Sequence, residues 1–152
     1  MIGNNQLIEV SLKEVNKSNW KSCTLLEVTD EQKEVFPFPV VNWIAESKFE
    51  TSFNLVSIYL GQDLIGFSVY GQDPEDGGYW IIAFMIDKHY QRKGYGRKAM
   101  TKMIEFVSER HKCRSITIVH RPSNHIAESL YSSLGFRELT RTKSEVVRRL
   151  AL

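Results

Sequence analysis

The chain holds only two cysteines, Cys23 and Cys113, and they lie far apart, outside any C-x-x-C or Cys/His cluster. This excludes a disulfide framework and a thiolate metal centre, leaving reduced, buried thiols as the expectation. The four histidines, His89, His111, His120 and His125, show no H-E-x-x-H or comparable spacing, so no metal is expected. Charge of one sign is not in excess: the net value of +2 is too small to imply a nucleic-acid partner. No apolar run approaches the roughly 20 residues of a spanning helix. Asn4, Asn5, Gln6 and Glu9 interrupt the apolar core that a secretory leader needs. Neither a membrane nor a nucleic acid is therefore expected as partner, and the cytoplasm is the expected compartment.

What is present is ordinary for a globular chain. With 152 residues, 42% hydrophobic and 25% charged, it has the size of one domain, 1–152, with a core of its own. Leu7 to Leu12 reads as a first strand and Asn16 to Leu26 as a short helix using Trp20 and Leu25 as apolar positions. Phe36-Pro37-Phe38-Pro39 must be a loop, because each proline removes a donor and biases its predecessor towards extended backbone. A second helix is predicted from about Val41 to Glu50. Asn54–Leu60 and Leu64–Tyr70 flank a turn at Gly61-Gln62-Asp63, a hairpin. Tyr79 to Asp87 is apolar on both faces through Trp80–Ile86, the mark of a central strand covered on both sides.

After that strand come Gln91-Arg92-Lys93-Gly94-Tyr95-Gly96-Arg97-Lys98 and then a helix whose apolar face is Ala99, Met100, Met103, Ile104 and Val107. A helix start leaves backbone N–H groups without intrahelical partners and carries partial positive charge, so an anion gains there from both. Gly94 and Gly96 allow close approach, while Arg92, Lys93, Arg97 and Lys98 supply countercharge. Two familiar phosphate motifs fail. The Walker pattern needs a glycine five residues before Gly96 and Lys-Ser/Thr after it; Gln91 and Arg97-Lys98-Ala99 stand there instead. Gly94 to Ala99 does match G-x-G-x-x-A. However, Lys88 to Lys93 separate Gly94 from the strand, and the next strand ends in His120-Arg121 rather than an acid.

Ser115 to His120 reads as that next strand. Asn124 caps a helix carrying Ile126, Ala127, Leu130, Tyr131 and Leu134, and Gly135 ends it. Phe136–Thr140 and Ser144–Leu150 form a final hairpin. Strand, helix, strand from Tyr79 to His120 implies a parallel pair within an otherwise antiparallel sheet, an α/β architecture.

The glycine loop resembles the pyrophosphate loop Q/R-x-x-G-x-G/A of the GNAT N-acetyltransferases. Ser123 to Phe136 resembles that family's N-x-x-A-x-x-x-Y-x-x-x-G-F helix, in the right order after an intervening helix and strand. The resemblance runs from about Leu55 to Phe136. It implies a mostly antiparallel sheet of six to seven strands with a central parallel pair and flanking helices, and acetyl-CoA as co-substrate. It further implies Arg92 to Lys98 on the pyrophosphate, Asn124 on the pantetheine arm, and backbone contacts from Met85, Ile86 and Asp87 beside a bulge near Phe84–Ile86. Tyr131 would be the acid that protonates the departing thiolate.

Within the family, Gly66–Gly71, Ile86–Gln91 and His111–Arg114 are similar to bacterial spermine/spermidine acetyltransferases, which implies a small primary amine, a polyamine, as acceptor. Ile82-Ala83 depart from the charged residues of that group and would equally suit an aromatic amine. Phe36, Phe38, Trp43 and Phe49 are candidates for the acceptor wall. An alkyl amine with a pKa near 10.4 must lose a proton before attack. Glu27, Asp30, Glu31, Glu34, Glu46, Glu75 and Asp76 are candidate bases, each also readable as a surface acid. Were Glu27, Glu31, Glu34 or Glu46 to line the site, a polycation would be drawn in by a salt-sensitive field. A protein or peptide acetyltransferase, or an acyl-CoA-binding module without catalysis, are the alternatives, and a homodimer is left open.

Overall fold

The computed structural model describes residues 8–152. Its strands are β1 Val10–Glu14, β2 Phe53–Leu60, β3 Asp63–Gln72, β4 Tyr79–Ile86, β5 Ser115–His120, β6 Arg137–Arg141 and β7 Val146–Ala151. The helices are α1 Trp20–Cys23, α2 Val40–Ser47, α3 Tyr95–His111 and α4 His125–Ser133, with short 3-10 turns at Glu31–Glu34 and Lys88–Tyr90. Among the described residues the strands form one seven-stranded sheet in the order β1-β2-β3-β4-β5-β7-β6, in which only β4 and β5 pair in parallel. This is the mixed α/β sheet with a central parallel pair that the sequence implies.

Boundaries move where polar side chains compete with the backbone. The first strand is Val10–Glu14 rather than Leu7–Leu12, with Leu7 outside the described residues. The first helix shrinks to four residues because Asn16 Oδ1 accepts from the Ser18 and Asn19 N–H groups (2.8 and 3.1 Å), holding a turn where a helix was expected. Cys23 at its end and Leu26 just beyond it are buried, while Trp20 and Leu25 are 36% and 77% exposed, the reverse of the predicted apolar positions. Helix α2 starts directly after Pro39, whose extended ψ of 158° suits the residue before a first turn.

Both faces of the sheet are covered. Met100, Met103 and Val107 of α3 pack with Tyr70, Ile81, Ile116 and Ile118, together with Tyr131 and Phe136. On the opposite face Cys23, Leu26 and Val40 pack with Phe67, Val69, Ala83 and Met85. Ile81 and Ala83, two residues apart, therefore belong to different faces. An undisturbed strand alternates and would put them on the same one. The register explains this: Val69 pairs with Ala83 and Tyr70 with Ile81, leaving Ile82 as the extra residue of a β-bulge. The bulge thus sits at Ile82, not at the predicted Phe84–Ile86. Gly71 makes room for it, since a Cβ there would lie 3.3 Å from Ile82 Cδ1 and 2.9 Å from the Ser52 carbonyl oxygen.

The candidate active site

At Ile81 the pairing of β4 with β5 stops. The register covers Tyr79–Ile116, Trp80–Thr117 and Ile81–Ile118 only, so past the bulge β4 runs on without β5 beside it. Asp87 N–H donates to the Ile65 carbonyl on β3 (2.7 Å). Backbone groups alternate sides along a strand, so the N–H groups of Phe84 and Ile86 face the opening between β4 and β5. The Ile86 carbonyl on that side accepts from Gln91 Nε2 at 2.8 Å. The three predicted backbone contacts therefore divide: Ile86 faces the opening, while the main chains of Met85 and Asp87 face β3. Met85 still lines the groove described below.

Asp87 has a bracing position instead. Its buried carboxylate accepts from Glu27 N–H (2.9 Å), His89 N–H (2.9 Å) and His89 Nδ1 (2.7 Å). Burial alone would raise its pKa, but these hydrogen bonds together hold it below the usual carboxylate value.

The glycine loop turns into α3 through Gly94, the N-cap residue, at φ 83°, a left-handed conformation that favours glycine. Gly94 has no side chain to cap the helix, so the N–H groups of its first turn remain available. A Cβ on Gly94 would meet nothing within 4 Å, and one on Gly96 only Ile86 Cγ1 at 4.0 Å. Protein packing does not call for the missing side chain at Gly96, which stands on the wall of the groove. Arg92, Lys93, Arg97 and Lys98 have no carboxylate partner among the described residues, and Arg97 Nη2 donates to Ser133 Oγ (2.7 Å). A helix start with free N–H groups, an open glycine and four uncompensated cations fits a pyrophosphate. Arg92 and Gly96 line the adjoining groove; Lys93, Gly94, Tyr95, Arg97 and Lys98 flank it.

Two cavities meet in the opening. The larger, about 660 Å³, runs from this loop along Met85, Ile86, Ile126 and Leu130. The smaller, about 100 Å³, is walled by Phe36, Phe38, Trp43, Ile82 and Ala83 and closed by His120 and Arg121. Val35, Phe36, Phe84, Asn124 and Tyr131 line both. Asn124 Oδ1 caps α4 by accepting from Ala127 N–H (3.1 Å), which leaves its amide NH2 for the junction. Tyr131 is 6% exposed, its ring packed between His120 and Phe136 at 6.0 and 5.9 Å between centroids. Burial raises its phenol well above the ordinary tyrosine value, so it stays protonated.

Of the candidate acceptor aromatics, Phe36, Phe38 and Trp43 stand in the smaller cavity, while Phe49 is 80% exposed and outside it. Among the described residues no carboxylate lines that cavity, and of the candidate acids only Asp30 and Glu31 reach either space, both in the larger one. Glu27 is engaged with Lys88 Nζ at 2.8 Å. Sequence reasoning missed His120, whose two ring nitrogens are both engaged, Nδ1 with the Arg121 carbonyl (2.9 Å) and Nε2 with Arg148 Nε (3.0 Å). It also missed Ile126 as a groove residue, counting it only among the apolar positions of α4, whereas it is 67% exposed on the groove wall.

A family model for the acetyltransferase (GNAT) family matches residues 13–136. The chain belongs to the GNAT acetyltransferase family. It is 31% identical over 136 residues to a probable spermine N(1)-acetyltransferase of Bacillus subtilis subsp. natto (strain BEST195), covering 86% of this chain and 89% of that one. It is 29% identical, with the same coverage, to a spermine/spermidine N(1)-acetyltransferase of Bacillus subtilis (strain 168). Among solved structures, an aminoglycoside acetyltransferase in complex with coenzyme A superposes with a TM-score of 0.77 at 14% identity, covering 94% of this chain and 95% of that one. GNAT membership makes the chain an acetyltransferase, with acetyl-CoA as the fitting donor for the groove.

Proposed function

We propose that the chain acetylates a primary amine of a small molecule, a polyamine being the preferred acceptor, by direct attack within a ternary complex. The observation that carries this is the junction itself, where a long groove beside an anion-binding loop and a narrow second cavity share Phe84, Asn124 and Tyr131. Acetyl-CoA, when bound, supplies the activated acyl group as a thioester. Neither cysteine lines either cavity, which supports transfer without a covalent enzyme intermediate. The loop around Gly94 and Gly96 would hold the pyrophosphate. The Asn124 amide would donate to the pantetheine arm, and the N–H groups of Phe84 and Ile86 would donate to the acyl oxygen as negative charge develops there. Tyr131, protonated and at the junction, would give its proton to the departing sulfur and regain one from the amine nitrogen as the amide forms, the ammonium's first proton having left to solvent before attack.

The polyamine preference rests on the two spermine acetyltransferase relatives and on the cavity's walls. Phe36 and Phe38 lie 6.4 and 6.5 Å from Trp43, forming an aromatic corner in which an ammonium gains about 0.5–2 kcal/mol per ring and a methylene chain loses its water. A cavity of about 100 Å³ favours a slender amine-bearing chain over a folded peptide segment. The absence of a lining carboxylate among the described residues favours a second reading, an arylalkyl amine, on the same walls.

Comparing kcat/KM for spermidine and phenethylamine, in the parent and in Trp43→Leu, separates the two. The proposal expects spermidine to be the better substrate and its KM to rise about tenfold in the variant, the loss of one cation–π contact. Turnover of phenethylamine with none of spermidine would reject the polyamine and leave acetyl transfer standing.

A further inference from the structure

The wall that frames the acceptor cavity is poorly anchored by secondary structure. Residues 27–38 contain only the short turn Glu31–Glu34, yet they carry Phe38 into the small cavity, Val28 into the groove, and Val35 and Phe36 into both. Among the described residues, every hydrogen bond from this segment to the rest of the chain ends between positions 87 and 91. Glu27 N–H donates to Asp87 Oδ2 at 2.9 Å, and Lys88 N–H donates to the Glu27 carbonyl at 2.8 Å. The third anchor is a reciprocal pair: Gln32 Nε2 donates to Gln91 Oε1 (2.8 Å) and Gln91 Nε2 to Gln32 Oε1 (2.7 Å).

Gln91 opens the glycine loop, and its amide also holds the Ile86 carbonyl on the open side of β4. Gln32 is held from its own side by Thr29, whose N–H and Oγ1 pair with Gln32 Oε1 and Gln32 N–H at 3.3 Å each. Its backbone carbonyl accepts from Phe36 N–H at 2.7 Å, so a single turn joins this amide pair to the aromatic wall. The chain of contacts runs from anion loop through Gln91 and Gln32 to Phe36.

We propose that Gln32 is a positioning residue that couples the phosphate loop to the acceptor wall, so that filling the loop fixes Phe36 and Phe38 around the amine. The inference rests on the smaller cavity being the acceptor site. Two amides paired in this way replace water with two directed hydrogen bonds; an apolar side chain at position 32 leaves the Gln91 amide without its partner and the turn free to shift. The Glu27–Asp87 anchor, five residues away, does not reach Phe36 in the same manner.

The test compares the parent protein with Gln32→Leu and Gln32→Glu, the latter keeping an acceptor for Gln91 Nε2. Amide hydrogen exchange is followed with and without coenzyme A, alongside steady-state kinetics with whichever amine the parent acetylates. Coenzyme A is expected to protect both residues 94–98 and residues 36–43 in the parent. In Gln32→Leu it should protect 94–98 alone, with coenzyme A affinity within about threefold, amine KM raised about tenfold or more, and Gln32→Glu intermediate. Equal protection of 36–43 in parent and Gln32→Leu, or an unchanged amine KM, overturns the coupling. A matching loss of coenzyme A affinity also overturns it, by making Gln32 part of the cofactor site. No protection at 94–98 in the parent would instead reject the loop assignment itself.

Discussion

Ile81 is the last residue of β4 in register with β5, opposite Ile118, and the next residue, Ile82, is the bulge that rotates the strand. These two events at one point create the site. The bulge sends Ile81 to the α3 face and Ala83 to the other, and the end of pairing leaves the Phe84 and Ile86 N–H groups facing a gap into which Tyr131 and Asn124 project from α4.

Gly96 offers the most selective probe of the groove. Because a Cβ there would touch only Ile86 Cγ1 at 4.0 Å, Gly96→Glu should fold normally while its side chain fills the groove and opposes an anion. Calorimetry is expected to show no measurable coenzyme A binding with an unchanged melting temperature. Parent-like affinity would remove the anion site from this loop.

Gly94→Ala, by contrast, should act on the fold as well. At φ 83° an alanine is strained by about 1–2 kcal/mol, so a denaturant titration should show a loss of that size together with weaker coenzyme A binding. An unaltered midpoint would mean the turn relaxes freely.

Tyr131→Phe removes one oxygen from a buried ring and should leave coenzyme A affinity nearly unchanged. A general acid commonly contributes about 10²–10⁴-fold, and kcat is expected to fall within that range. Because burial holds the phenol protonated, the parent's kcat should show no alkaline loss at the ordinary tyrosine value of 10.0. A kcat within about twofold of the parent would make Tyr131 a packing residue only.

Much of this was legible in advance. Two glycines followed by an amphipathic helix marked the loop, and Asn124, Tyr131 and Gly135 at their spacing marked α4, because helix starts and ends depend on local backbone chemistry. The bulge was not placed correctly, since Trp80–Ile86 is apolar throughout and no residue in it betrays a change of face. Its trace lies on the neighbouring strand, in Gly71, which yields space to Ile82. The acceptor wall was legible only as a set of aromatics. Which of them enter the cavity depends on Gln32, Asp87 and Gln91, contacts distant in sequence that no periodicity reveals.

Asp87 provides a pH-dependent check on that bracing. Its folded pKa lies below the usual 3.8, so the unfolded chain takes up a proton first as pH falls. The carboxylate's contribution is therefore complete above the unfolded value and lost as pH drops through the folded one. Asp87→Asn should lower stability at pH 7 by about 1–3 kcal/mol, since an amide cannot accept from all three donors, and should flatten the acid limb. An unchanged acid limb would place the titrating carboxylate elsewhere.

The central claim is that the junction beneath Ile82 transfers acetyl groups to a small amine. Free thiol release from acetyl-CoA by the purified protein, measured across polyamines, aminoglycosides, amino acids and peptides, tests it most directly. The account expects turnover with spermidine or spermine and a monoacetylated product, abolished in Gly96→Glu and strongly reduced in Tyr131→Phe. Failure to acetylate any small amine at millimolar concentration, or turnover of peptides alone, would contradict it.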